Sequence, residues 1–257
     1  MAWEIAPRLS LAAGPTLNYA EADLRQGVYP TPSLVGDQLK FKGDGTDIGF
    51  NAGLLWQPHA QHSFGASYRS QTTQNFRGHT EGQGPIPAFL AGQSSASIRF
   101  PFPQHVVAGW SFRPSPVWNF EFDVDWTDWD RLDSITLQRA AGNLPAQAFN
   151  WRSSFFYEWG LTRYFDKGYA LSAGYIYSEN SVPDANFNPI VPDSDRHVFS
   201  VGVGRKGRQF RWDAAYQLAY GPSRTVNNSA PSTAGELADG RYRFISHALT
   251  FSLGYTF

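Results

Sequence analysis

The chain of 257 residues contains no cysteine. That excludes disulfide staples, thiolate metal sites and a cysteine nucleophile, and it suits transit through an oxidising compartment. Charge is scarce as well. Asp, Glu, Lys and Arg make up 17% and the formal net charge is −1, so no basic surface is offered to nucleic acid. No stretch approaches the roughly 18 apolar residues of a membrane helix. A bilayer could therefore be crossed only by strands closed into a barrel, because lipid cannot satisfy an open sheet edge. Met1 to Ile5 has neither the basic start nor the apolar core of a secretory leader. GxSxG, HExxH and glycine-rich phosphate loops are missing, so no enzyme and no cofactor are expected.

Aromatic residues, by contrast, reach 16%, with 9 Trp, 12 Tyr and 20 Phe. Such a load suits the girdles of a membrane barrel, where amphipathic rings sit between lipid and water. Their spacing is the stronger signal. In the last segment Ile245, Leu249, Phe251, Leu253, Tyr255 and Phe257 alternate with Ser246, Ala248, Thr250, Ser252, Gly254 and Thr256. Period two separates two faces of a strand, one oily and one small or polar. The same pattern places Trp118, Phe120, Phe122, Val124 and Trp126 opposite Asn119, Glu121, Asp123, Asp125 and Thr127. A helix would scatter those acids around its circumference.

Read this way, the chain holds about ten strands of membrane-spanning length. They start from Leu9–Glu21, Ile48–Trp56, Phe64–Arg69 and Val106–Phe112, then Trp118–Thr127, Ser154–Leu161, Tyr169–Tyr177, Phe199–Val203 and Phe210–Tyr220, and close with the terminal strand. Tight turns at 57–61, 113–117, 166–168 and 206–208 take turns with long segments at 22–45, 72–103, 130–148, 179–196 and 221–242. Bacterial barrels alternate short periplasmic turns with long extracellular loops in this manner. The pattern predicts an all-β, antiparallel up-and-down transmembrane barrel over residues 1–257. Trp3 to Ile5, ahead of the turn-like Ala6-Pro7-Arg8, reads as the tail of an earlier strand, so the chain is expected to be the C-terminal part of a larger barrel. A self-contained barrel is the competing view.

Two groups of residues could carry function. The segment 72–103 has an apolar cluster at Pro85 to Gly92 and again at Phe100 to Pro103. Ile86, Phe89, Leu90, Phe100 and Phe102 are the candidate ligand-binding residues, since exposed apolar clusters mark binding surfaces. Otherwise they pack the loop onto the rim. Arg69, Glu121, Asp123, Asp125, Arg152, Glu158, Arg211 and Asp213 are expected to face the lumen, because a charge on the lipid face costs about 2–4 kcal/mol at mid-bilayer. They either form an internal ion-pair network or, through Arg69, Arg152 or Arg211, attract a ligand carboxylate. His197 is the nearest approach to a catalytic base. His59 and His62 are too few for a metal site. Asp184, Asp193 and Asp195 have the oxygen chemistry of a Ca²⁺ loop and equally that of a turn.

Several segments carry a resemblance: Glu121-Phe122-Asp123-Val124-Asp125-Trp126-Thr127-Asp128-Trp129, Val182-Pro183-Asp184, Val191-Pro192-Asp193-Ser194-Asp195-Arg196 and Asp239-Gly240-Arg241-Tyr242-Arg243. In order and over essentially the whole chain, these resemble the outer-membrane long-chain fatty acid transporter family, which includes aromatic-hydrocarbon uptake channels. The resemblance implies a barrel of about fourteen strands with an N-terminal hatch. It also implies passive uptake of fatty acids or aromatic hydrocarbons, without cofactor or nucleic acid. The expected partners are the hydrophobic ligand, outer-membrane lipid and lipopolysaccharide, and the barrel-assembly machinery through Phe257, with the protein itself a monomer. A non-conducting binding barrel and an outer-membrane hydrolase are the alternatives.

Overall fold

The computed structural model describes residues 1–27, 38–84, 86–189, 191–227, 229 and 237–256. Pro85 and Phe257, which figure in the expectations above, lie outside them. The strands are β1 (Ala2–Ala6), β2 (Leu9–Gly27), β3 (Gln38–His59), β4 (His62–Arg69), β5 (Thr72–Gln83), β6 (Gly92–Phe102), β7 (His105–Ser115), β8 (Trp118–Thr127), β9 (Ser134–Ile135), β10 (Leu137–Arg139), β11 (Gln147–Ala148), β12 (Ser154–Tyr164), β13 (Tyr169–Ser178), β14 (Arg196–Lys206), β15 (Phe210–Val226) and β16 (Gly240–Tyr255). One antiparallel sheet takes 14 of them, and β9 and β11 pair apart from it.

The wall is an up-and-down meander, β1-β2-β3-β4-β7-β8-β12-β13-β14-β15-β16. It contains the expected strands plus β1, the short strand foreseen at Trp3–Ile5. Among the described residues β1 and β16 each pair on one side only, so the sheet is open. The tight turns form as the spacing predicts. At one of them Asp166 to Gly168 close the hairpin, Phe165 N donates to the Tyr169 carbonyl at 2.8 Å, and Lys167 and Gly168 both take positive φ, 60° and 80°.

The long segments differ from the expectation of loops. β2 and β3 run 19 and 22 residues, and 72–103 is mostly the hairpin β5–β6. The reason is a reversal of polarity along the ladder. Low on β2 and β3 the outer face carries Leu11, Leu17, Ile48, Phe50 and Leu54, and the inner face Thr16, Asn18, Asp47 and Asn51. Beyond Tyr19 and Thr46 the outer face turns charged, with Glu21↔Asp44, Asp23↔Lys42 and Arg25↔Lys40. There the inner face turns apolar: Ala20, Ala22 and Phe41. Below the switch the outer face meets lipid; above it the outer face meets water, and the strands persist because they bury a core of their own. Phe41, Phe76, Ala96 and Ile98 form that core, with Phe100, Ile135 and Leu137 against it. β10 lengthens the sheet by pairing Leu137 with Ile98 and Arg139 with Ala96.

Two strands break at the foot of this extension, at Ser70–Gln71 and at Pro103–Gln104. Ser70 mends the first break: its N–H donates to the Phe50 carbonyl at 2.9 Å, and its Oγ accepts from the Phe50 N–H at 2.9 Å. Asp128 mends the second. Its carboxylate accepts from Gln104 Nε2 (2.8 Å), Arg131 Nε (3.1 Å) and Ser153 Oγ (3.2 Å). Burial pushes this carboxyl up, but the three donors together hold it below the ordinary carboxylate range. A second small core, Val182, Phe187 and Val226, packs with Trp151, Ala238 and Tyr242. Arg224 clamps it, donating to Asp184 Oδ1 (2.6 Å), Asn180 Oδ1 (3.0 Å) and the carbonyls of Val182 and Asp193 (both 2.6 Å).

Candidate functional site

The tip of the β5–β6 hairpin is a compact turn. Leu90 N donates to the Pro87 carbonyl (2.8 Å) and Ala91 N to the Ala88 carbonyl (3.3 Å). It folds down onto Gly82, where a Cβ would lie 2.0 Å from the Leu90 carbonyl and 2.4 Å from Ile86 Cδ1. Only glycine allows that approach. Leu90 is buried at 5%, whereas Phe89 stands 59% exposed. Phe100 and Phe102 pair with ring centroids 4.8 Å apart, but at the far end of β6, about ten residues or some 30 Å along the strand. The five apolar candidates thus fall into two places: Ile86, Phe89 and Leu90 at the tip, and Phe100 and Phe102 at the base, with Phe100 leaning on the core.

Beneath the tip lies a residue that sequence reasoning missed. Arg139 is 5% exposed. Its Nε donates to Thr80 Oγ1 and its Nη1 to the Phe89 carbonyl, both at 2.9 Å. Among the described residues its Nη2 has no partner. The signal was available, since Ile135, Leu137 and Arg139 share one phase of a period-two pattern, which puts the arginine on the core face.

On the inner face of the wall the acids cluster. In the β8–β12 ladder Glu121 stands opposite Gly160, and Asp123 opposite Glu158. Gly109 of β7 faces Asp123 from the other side, where a Cβ would come within 1.9 Å of the Asp123 carboxylate, so the side chain lies flat against the wall. Asp125 pairs with His105 at 2.5 Å. Farther round, Arg211 pairs with Asp213 at 3.0 Å, and the Asp213 carboxylate likewise lies over Gly204. Arg69 is in register with Asn51 and His105. Arg152 precedes β12, is exposed and lies off the sheet, so strand alternation does not aim it.

His197 sits on the outer face among aromatics, its Nδ1 within 2.7 Å of the Tyr175 hydroxyl. The loop carboxylates do turn work: Asp193 accepts from Ser181 N–H and Arg196, and Asp195 from Asn180 N–H, each at 2.8 Å. Among the described residues no cluster of three His, Asp or Glu could hold a metal. The outer wall carries a shallow groove of about 750 Å³ between Trp110, Phe120, Phe122, Trp159 and Tyr175. Its place on the lipid-facing side makes it part of the aromatic wall.

An antiparallel meander that is apolar and aromatic outside, acidic and glycine-lined inside, and inverted above the membrane is a transmembrane β-barrel wall. The comparisons carry this further. The family model described as outer membrane protein transport protein (OMPP1/FadL/TodX) matches residues 1–257. The chain belongs to that family and is an outer-membrane protein. The long-chain fatty acid transport protein of Escherichia coli O6:H1 is 24% identical over 250 residues, 92% of this chain and 54% of that protein. A FadL homologue from Pseudomonas aeruginosa superposes with TM-score 0.86 at 20% identity, over 99% of this chain and 66% of its own. The Ralstonia pickettii toluene transporter TbuX gives 0.65 at 15% identity, over 99% of this chain and 65% of its own. The chain spans about half the length of the curated relatives it matches.

Proposed function

We propose that residues 1–257 act as one transmembrane barrel domain in the passive uptake of hydrophobic small molecules, long-chain fatty acids or aromatic hydrocarbons. The observation that carries this reading is the exposed Phe89 on a structured hairpin held above the lipid-facing band. A hydrophobic molecule arriving from water meets an apolar surface there, anchored by the buried Leu90 and by Ile86. The relatives' names support both ligand classes, one being a fatty acid transport protein and another a toluene transporter. No energy source is needed if the ligand is consumed inside the cell.

The test replaces Phe89 with Ser in the intact protein, which leaves the buried Leu90 in place. Entry of labelled oleate and toluene into cells and their equilibrium binding are then compared. Burying a phenylalanine side chain is worth about 1.5–3 kcal/mol, so binding should weaken by roughly tenfold or more. Unchanged binding and entry would remove the tip from the route. Binding without entry in the unaltered protein would leave a binding barrel that does not conduct.

A further inference from the structure

We infer that Arg139 is the anchor for an anionic head group, so that the ligand captured at the hairpin tip is a long-chain carboxylate rather than a neutral hydrocarbon; the inference rests on the uptake reading above. A guanidinium cannot shed its proton inside a protein, and burying one without a counter-ion carries a large desolvation cost. Arg139 is buried, and among the described residues no carboxylate pairs with it. Its two bonds, to the Thr80 hydroxyl and the Phe89 carbonyl, are to neutral acceptors. A neutral amide could make a clamp of that kind, so clamping alone does not account for the charge.

The geometry points to what does. Nε is taken by Thr80, and the free Nη2 lies beside Nη1, whose acceptor is the carbonyl of Phe89. Nη1 and Nη2 together form the end-on fork that a carboxylate accepts bidentately. An incoming carboxylate would take Nη2 outright and share or displace the carbonyl at Nη1, exchanging a neutral acceptor for a charged one. The residue whose carbonyl it meets, Phe89, presents the exposed ring for an alkyl chain. Arg139 ends β10, and the residues that follow it, Ala140 to Asn143, are exposed.

The experiment compares palmitate, methyl palmitate and toluene binding to the intact protein in vesicles at neutral pH. Palmitate should bind at least about tenfold more tightly than its methyl ester, the worth of one charge-assisted pair. Arg139→Gln should reduce that preference to about one while leaving ester binding intact, and Arg139→Lys, which keeps charge without the fork, should retain part of it. Equal binding of acid and ester by the unaltered protein overturns the inference and leaves the uptake reading standing. So does a preference that survives Arg139→Gln. Should the hairpin fail to form in Arg139→Gln, Arg139→Lys decides: a preference undiminished from the unaltered protein's overturns the inference, and a reduced one supports it. If none of the three ligands binds, the uptake reading falls and this inference falls with it.

Discussion

Leu249 offers the sharpest test of which side of the sheet meets lipid. It lies midway along β16, in register with Tyr216, and is 82% exposed. Its side chain therefore packs on almost no protein, and replacing it perturbs little except its contact with the surroundings. If those surroundings are hydrocarbon, Leu249→Arg places a cation near the bilayer centre at about 2–4 kcal/mol. Loss of the leucine's own apolar burial adds up to about 2 kcal/mol. The sum, about 2–6 kcal/mol, lowers the folding equilibrium by roughly one and a half to four decades. Thr250, the next residue, pairs with Ala215 on the opposite face. Thr250→Arg should extend into a watery interior at less than about 1 kcal/mol. Denaturant titration of the intact protein in lipid vesicles, followed by tryptophan emission, reads both. Equal costs for the two variants, or a tolerated Leu249→Arg beside a costly Thr250→Arg, would refute the assignment of faces.

Arg224→Ala should strip five hydrogen bonds from the loop after β13 and leave acceptors unmet, costing that region about 2–4 kcal/mol. Limited proteolysis should then cut between residues 179 and 195 while the wall keeps its resistance; cleavage within the wall strands would contradict the separation of the outer core from the barrel. Asp128 predicts an acid-sensitive junction. Its folded pKa is depressed, so its contribution is complete above the unfolded value of about 3.9 and fades as pH falls through the lower folded value. Hydrogen exchange at Gln104 and Ser153 should rise in that acid window, and Asp128→Asn should show fast exchange there at neutral pH as well. An Asp128→Asn profile matching the unaltered protein would show that the carboxylate does not hold the break.

The wall was legible because each spanning strand must solve one problem with period two, and aromatic or aliphatic residues in one phase leave a plain trace. Trp118 to Thr127 is such a case, with the structure's β8 covering the same residues. The outer extension was harder to read. Its strands also alternate, as Ala96, Ile98 and Phe100 show, but with the apolar phase turned inward and with Gly78 and Gly82 diluting it. Expecting loops beyond the membrane, a reader assigns such a segment to a loop. That Glu121 and Asp123 share the phase opposite the aromatics was legible from period two alone. The glycines beneath Asp123 and Asp213 were not, because cross-strand register is set by pairing between distant residues. Arg139 was hidden in a three-residue strand whose neighbours come from about forty to sixty positions away, a separation local pattern cannot report.

The change of sign at Tyr19 and Thr46 works as a depth gauge. Sliding the β2–β3 ribbon inward by one outer-face pair would press Glu21 and Asp44 toward hydrocarbon; sliding it outward would carry Ile48 toward water. The ribbon is thereby pinned at one height. The remaining rungs to Gly27 form a stalk on the order of 25 Å. On the uptake reading proposed above, that stalk would set Phe89 in the path of a solute before the lipid head groups.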